Sequence, residues 1–284
     1  MTCPSCKTEN RAIARYCKRC GVQLAHQNDS SDPMSVQEDY DGFACLVDKN
    51  DVKNRLSEIV ATAKSLSERC KKQNILNQRM ELSFVITGEP GTGKTTVANV
   101  IAEELFRAGI VSTNMPYVVD PIKYQEFIKD LDASVKKVGN AVLIVEEAEK
   151  LVPEGLAVDV SQIDYVLKSV KEWRGAPDKP VVIFTGKPRL KDFFDNNPNS
   201  ASFVNYFLET GELSVDGLVS VTDKIMHKEY KLALSDEALE KLHRIYVYDK
   251  KNPDEAKGVN GHNAAKRAYQ IQLRCVERNY TESL

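Results

Sequence analysis

The stretch Leu82-Ser83-Phe84-Val85-Ile86-Thr87-Gly88-Glu89-Pro90-Gly91-Thr92-Gly93-Lys94-Thr95-Thr96 decides the fold. Leu82 to Ile86 is a short apolar run that reads as a buried strand, and a helical pattern follows from Val97 to Ala108. Strand, glycine loop and helix, in that order, are what a phosphate-binding loop (P-loop) requires. Gly88, Gly91 and Gly93 let backbone N–H groups turn inward as an anion nest, to which the helix adds its positive N-terminus. Lys94 supplies a flexible point charge for the β- and γ-phosphates of a nucleotide, and the Thr95 hydroxyl is a hard oxygen suited to Mg2+. The candidate cofactor-binding loop is therefore Gly88, Glu89, Pro90, Gly91, Thr92, Gly93, Lys94, Thr95 and Thr96, with Lys94 also counted as catalytic.

A phosphate loop calls for a second strand that ends in acids. Ala141-Val142-Leu143-Ile144-Val145-Glu146-Glu147 supplies one. In this reading Glu146 holds magnesium through water together with Thr95, while Glu147 polarises the attacking water. An acidic helix start after a core strand is the competing account of the same residues. A third strand, Val181-Val182-Ile183-Phe184, ends at Thr185-Gly186-Lys187, where Thr185 or Lys187 is placed to sense a γ-phosphate. Upstream, Val52, Leu56, Ile59, Ala63, Leu66 and Cys70 recur in steps of three and four, one apolar stripe of an amphipathic helix.

The N-terminus carries different chemistry. Cys3, Cys6, Cys17 and Cys20 form two C-x2-C pairs separated by ten residues, the spacing of two knuckles that present four thiolates to zinc. Four protein ligands leave no open position, so the expected Zn2+ is structural, and its binding supplies the folding energy of a ribbon too short for a core. Lys7, Arg11, Arg15, Lys18 and Arg19 against Glu9 make the ribbon locally basic, although the thiolate-bound zinc offsets part of this. That surface is a candidate contact for a protein partner or for nucleic acid. Residues 1–26 are read as the zinc ribbon and residues 27–43, acidic and polar with Pro33 and Gly42, as a linker.

Whole-chain composition narrows the remaining classes. The 284 residues are 42% hydrophobic and 28% charged, with a net charge of -2, which excludes intrinsic disorder and wholesale binding to polyanions. No apolar run approaches the ~18 residues of a membrane span, and the start lacks the features of a secretory signal. A cytoplasmic protein without membrane contact is expected.

From about Leu46 onward the chain resembles the AAA+ ATPases of the CbxX/CfqX group, which includes red-type rubisco activases and the stage V sporulation protein K type. The resemblance rests on LVDKNDVKNRLSEIV, ELSFVITGEPGTGKTTVANVIAEELFRAGIV, VVIFTGKPRLKDFFDNNPNSASF, and LALSDEALEKLHRIY with NGHNAAKRAYQIQLRCVERN. It implies an α/β fold: an AAA+ αβα domain over residues 44–211 and a helical lid over 212–284, with ATP at their junction. It also implies Mg-dependent ATP hydrolysis, six-membered homo- or hetero-oligomeric rings, and remodelling of a protein client. Three departures stand out. The family's Asp-Glu pair is Glu146-Glu147 here, the Asn197–Phe203 stretch lacks the arginine that acts across subunits, and the lid's sensor arginine aligns with His262, with Lys266 or Arg267 on the same helix as substitutes. The family's glycine-flanked aromatic pore loop has no counterpart, Tyr124 and Phe127 standing in an unmatched context. Slow or partner-dependent turnover follows from these departures; the alternatives are an ATP-driven switch or scaffold with little hydrolysis and an ATPase tethered to nucleic acid by the basic ribbon.

Overall fold

The computed structural model describes residues 42–75, 79–152, 162–173, 175–253 and 259–282. The expected ribbon, with Cys3, Cys6, Cys17 and Cys20, and nearly all of the expected linker lie outside the described residues.

Among the described residues, five strands form one sheet: β1 (Ser83–Thr87), β2 (Tyr117–Val119), β3 (Val142–Val145), β4 (Val181–Gly186) and β5 (Tyr206–Glu209). The order is β2-β3-β4-β1-β5 and every pairing is parallel. Such a sheet must be covered on both faces, which explains why β1, β3 and β4 are apolar runs without alternation. Phe84, Ile86, Val142, Ile144, Val181 and Ile183 join one core, beneath α1 (Asn50–Lys72) and α2 (Lys94–Arg107). Val85, Leu143, Val145, Val182 and Phe184 face the other way. There they meet α3 (Tyr124–Lys129), α4 (Leu131–Val138), α5 (Gln162–Trp173) and α6 (Pro188–Asn196). The period of two along each strand thus divides the apolar residues between two helical layers.

The stripe expected on α1 is mostly buried: Val52, Leu56, Ile59, Ala63 and Cys70 face the core, and Leu66 is only half-buried. Arg69, Lys71 and Lys72 in its last turn complement the helix dipole. The strand order reverses direction at β1, since the chain leaves β1 for the β2 edge and reaches β5 on the opposite side. Ligands of open parallel sheets bind at the carboxyl ends of the strands beside such a reversal.

After β5 the chain builds a third apolar cluster from Leu213, Leu218, Leu242, Tyr246 and Ala264. It is formed by α8 (Val215–Tyr230), α9 (Asp236–Lys251) and α10 (Gly261–Glu282), preceded by the short α7 (Pro198–Ala201). Ser214 and Ser235 cap α8 and α9 by accepting from the Gly217 and Ala238 N–H groups. Asp48 ties this cluster to the segment before α1: its Oδ2 accepts from the Ser214 N–H and hydroxyl, each at 2.8 Å, and Lys49 Nζ donates to the Gly211 carbonyl at 2.5 Å.

Candidate functional site

The loop between β1 and α2 lies at the reversal point. Gly88, Gly91 and Gly93 all have positive φ, at 156°, 76° and 90°. A Cβ on Gly88 would lie 2.3 Å from Thr210 Oγ1, and one on Gly91 would lie 2.6 Å from Asn260 Cγ, so both positions exclude side chains by contact as well as by backbone angle. Gly93 opens α2 without a side-chain cap, which leaves the first-turn N–H groups of a 14-residue helix available to an anion. Thr92 is buried and fastens the loop, donating to the Glu89 carbonyl at 2.8 Å and meeting Thr210 Oγ1 at 2.7 Å. Glu89, Pro90, Thr95 and Thr96 are exposed along the rim.

Lys94 folds back onto the loop, its Nζ donating to the Gly88 carbonyl at 2.8 Å and the Glu89 carbonyl at 2.9 Å. Burial pulls its ammonium below the ordinary lysine value, while the charges of Glu149 and Glu89 oppose that shift. Thr95 Oγ1 donates to Glu146 Oε1 at 3.1 Å, joining residues 51 positions apart. The hydroxyl and carboxylate are hard oxygen donors at an open rim where waters complete a coordination shell, so the pair suits Mg2+. The backbone of Glu146 is itself held: its N–H donates to the Val119 carbonyl at 2.9 Å, and its carbonyl accepts from the Tyr124 hydroxyl. Burial and the surrounding carboxylates raise the Tyr124 phenol above its ordinary value, so it remains a donor.

Glu147 takes a left-handed backbone, φ 52°, and its carboxylate pairs with Lys150 at 2.5 Å. Both side chains are about half exposed, 50% and 51%, so the pair contributes only about 0–1 kcal/mol and leaves Glu147 free to turn elsewhere. Thr185 is buried within β4, in register with Ile86. Lys187 has an exposed side chain, and its N–H at the start of α6 donates to Glu149.

The start of α10 reaches the same loop. Asn260 Nδ2 donates to the Pro90 carbonyl at 3.0 Å and the Gly261 N–H to the Gly91 carbonyl at 2.9 Å, while Asn260 Oδ1 accepts from the His262 and Asn263 N–H groups. The His262 side chain is exposed, and Asn260 and Gly261 rather than His262 make the hydrogen bonds to the loop. Arg267 is committed elsewhere: it pairs with the buried Asp249 and lies over the Tyr246 ring at 5.1 Å, inside the third cluster. This placement corrects the expectation that Arg267 substitutes for a sensor arginine. Tyr124 and Phe127 are both buried. The Asn197–Phe203 stretch contains α7, where Ser200 Oγ donates to Asp164 Oδ1 at 2.8 Å, and it presents no arginine.

Sequence reading missed Thr210, Asn260, Tyr124 and Glu149. Asn260 had a signal, an Asn before Gly261 at a helix start, which is an N-cap pattern. The other three have no local signature.

A covered parallel sheet, a glycine loop under an uncapped helix and acids on the strand two places away define a P-loop nucleotide-binding domain. Residues 84–190 match the family model of the AAA ATPases, "ATPase family associated with various cellular activities". The ATP-binding subunit ClpC of the ATP-dependent Clp protease of Staphylococcus aureus (strain USA300) is 27% identical over 203 residues, covering 64% of this chain and 24% of that protein. The Staphylococcus epidermidis (strain ATCC 12228 / FDA PCI 1200) subunit gives the same figures. The chain therefore spans about a quarter of the length of the Clp subunits it matches. Among solved structures, a point mutant of Thermotoga maritima RuvB aligns with a TM-score of 0.49 and 17% identity over 81% of this chain and 72% of that one. Over residues 84–190 the chain is therefore similar to the AAA ATPases.

Proposed function

We propose that this chain is an AAA+ ATPase subunit that binds ATP between its αβα domain, residues 44–211, and its helical lid, residues 212–284, and couples hydrolysis to the remodelling of a protein partner. The observation that carries the reading is the Thr95–Glu146 hydrogen bond beside the uncapped start of α2. The loop Gly88–Thr96 cradles the phosphates, and Lys94 exchanges two loop carbonyls for the charged β- and γ-oxygens. That exchange is favourable because the phosphate oxygens carry negative charge where the loop carbonyls are neutral, so the ammonium gains a charge–charge attraction. Thr95 and Glu146 would hold a magnesium ion, whose chemistry is to draw charge off the β- and γ-phosphates. Glu147 leaves Lys150 and orients the attacking water; Thr185, Lys187 and His262 are the candidate sensing positions around it.

The transition-state arginine comes in this reading from a neighbouring AAA+ subunit in a ring, since Asn197–Phe203 contains none. Cys3, Cys6, Cys17 and Cys20 bind structural zinc, and the resulting basic ribbon recruits the partner. A conformational switch with little hydrolysis is the second reading, favoured by the outward pairing of Glu147 with Lys150.

Steady-state ATP hydrolysis by zinc-loaded protein over a wide concentration range tests the proposal. Turnover per subunit that rises with concentration supports a self-assembling ATPase; bound ATP with no turnover at any concentration favours the switch. The Tyr124 hydroxyl gives a second check. Removing it in Tyr124→Phe should raise the Mg2+ concentration for half-maximal turnover by about tenfold, the scale of outer-shell partners of metal ligands. An unchanged magnesium dependence would remove Tyr124 from the support of Glu146.

A further inference from the structure

Glu149 differs from the other two acids after β3. Glu146 is half-buried and Glu147 half exposed, whereas Glu149 retains only 5% of its surface. It sits in the 3-10 turn Ala148–Leu151, and its Oε2 accepts from the Lys187 N–H at 3.2 Å, at the start of α6. Its Oε1 is buried with no hydrogen-bond partner among the described residues. Leaving a buried acceptor unpaired costs about 1–3 kcal/mol, and more for a charged one, so a ligand that donates to it is the economical explanation.

The surroundings say where that ligand sits. A Cβ built on Gly186 would lie 2.9 Å from Glu149 Oε2, so the carboxylate fills the space that a side chain at the end of β4 would take. Gly186 is paired with Thr87 in β1, and its carbonyl accepts from the Gly88 N–H at 3.2 Å. The carboxylate is therefore one strand away from the first glycine of the phosphate loop. Among the charges that act on Lys94, Glu149 comes ahead of Glu89, Lys187 and Glu147. The strand-end polar group expected from Thr185 or Lys187 is thus accompanied by a carboxylate from the neighbouring turn.

We propose that Glu149 is a third acid of the ATP site, and that its buried, unpaired Oε1 accepts a hydrogen bond from the water that attacks the γ-phosphorus. This rests on the reading of the site as one that binds ATP. A carboxylate facing a phosphate is repelled unless a donor lies between them, and water is the donor that the reaction itself brings. Water held by Glu147 on one side and Glu149 on the other has both protons engaged and a lone pair free for phosphorus. As the new O–P bond forms, the bond from phosphorus to the β–γ bridging oxygen breaks and its electron pair leaves with ADP. One water proton passes to Glu147, and the other stays on the oxygen that becomes part of inorganic phosphate.

Glu149→Gln keeps the shape and an acceptor for the Lys187 N–H while it removes the charge. Turnover and the affinities for ATPγS and ADP, each with Mg2+, are measured on the full chain beside the wild type, with the thermal midpoint as a folding control. Turnover should fall about 10²-fold, the lower end of the scale for groups that manage the reacting proton. ATPγS should bind at least about fivefold tighter while ADP changes less than about twofold, because only the triphosphate brings charge next to the lost carboxylate. Glu149→Asp restores the charge one methylene short, and should lose turnover about tenfold without the tighter ATPγS binding. If Gln does not fold, the Asp variant at wild-type turnover overturns the proposal. Unchanged turnover in Glu149→Gln, or ATPγS and ADP affinities that move together, also overturns it. Wild-type protein that binds neither nucleotide defeats the ATP reading itself, whereas nucleotide binding by wild type with the Gln variant indistinguishable defeats only the role of Glu149.

Discussion

Lys94→Ala is expected to abolish turnover and weaken ATP binding by at least about 10²-fold. The half-buried ammonium has two donors engaged with loop carbonyls, so it already points along the inside of the loop. Two charge-assisted bonds to phosphate at about 1.5–3 kcal/mol each correspond to about 10²- to 10⁴-fold in affinity. The substitution also frees the Gly88 and Glu89 carbonyls, but Glu89 is exposed and water replaces that bond, so the fold should survive with a nearly unchanged thermal midpoint. Calorimetric titration with Mg-ATP checks the binding, and a coupled phosphate assay checks the turnover. Wild-type affinity in the variant would mean that the loop holds no triphosphate.

Glu147→Gln separates binding from chemistry. Its amide keeps the size of the side chain and still reaches Lys150, so ATP affinity should stay within about twofold while hydrolysis falls about 10²- to 10⁴-fold, the range for loss of a positioned general base. The variant should then hold ATP rather than ADP after incubation, which chromatography of the bound nucleotide reads directly. Hydrolysis at the wild-type rate would mean that Glu147 stays paired with Lys150 throughout, and would shift the water-polarising role to a different acid.

What was legible in the sequence is what is encoded locally. β1, the glycine loop and α2 are consecutive, and the apolar run ending at Glu146 announces itself by composition, so their chemistry could be read without the fold. The pairing of Thr95 with Glu146 followed because both belong to those local patterns. Thr210 was not legible: it reaches the loop only because β5 lies beside β1, and strand order leaves no mark on a single segment. Glu149 was hidden for a related reason. In the sequence it is one of three acids near a helix start; only the crossing of β4 beside it makes it the buried one. Arg267 looked available on its helix because Asp249 and Tyr246, 18 and 21 positions earlier, give no sequence sign that they will claim it. His262 marks the correct end of the correct helix, but the hydrogen bonds to the loop come from the two residues before it.

In the proposed ATP site the clasp of Asn260 and Gly261 on Pro90 and Gly91 would act as a timer. Two hydrogen bonds of about 0.5–1.5 kcal/mol net each hold the clasp shut in a ratio of roughly 5 to 150 to one. A nucleotide bound as proposed would wait for the minority of moments when both bonds are broken. Residence of ADP would then be governed at residues 260 and 261, far along the chain from Glu146 and Glu147. Gly91 and Gly261 let the two surfaces come close enough for this clasp: a Cβ on Gly91 would lie 2.6 Å from Asn260 Cγ, and one on Gly261 would lie 2.8 Å from the Gly91 carbonyl oxygen.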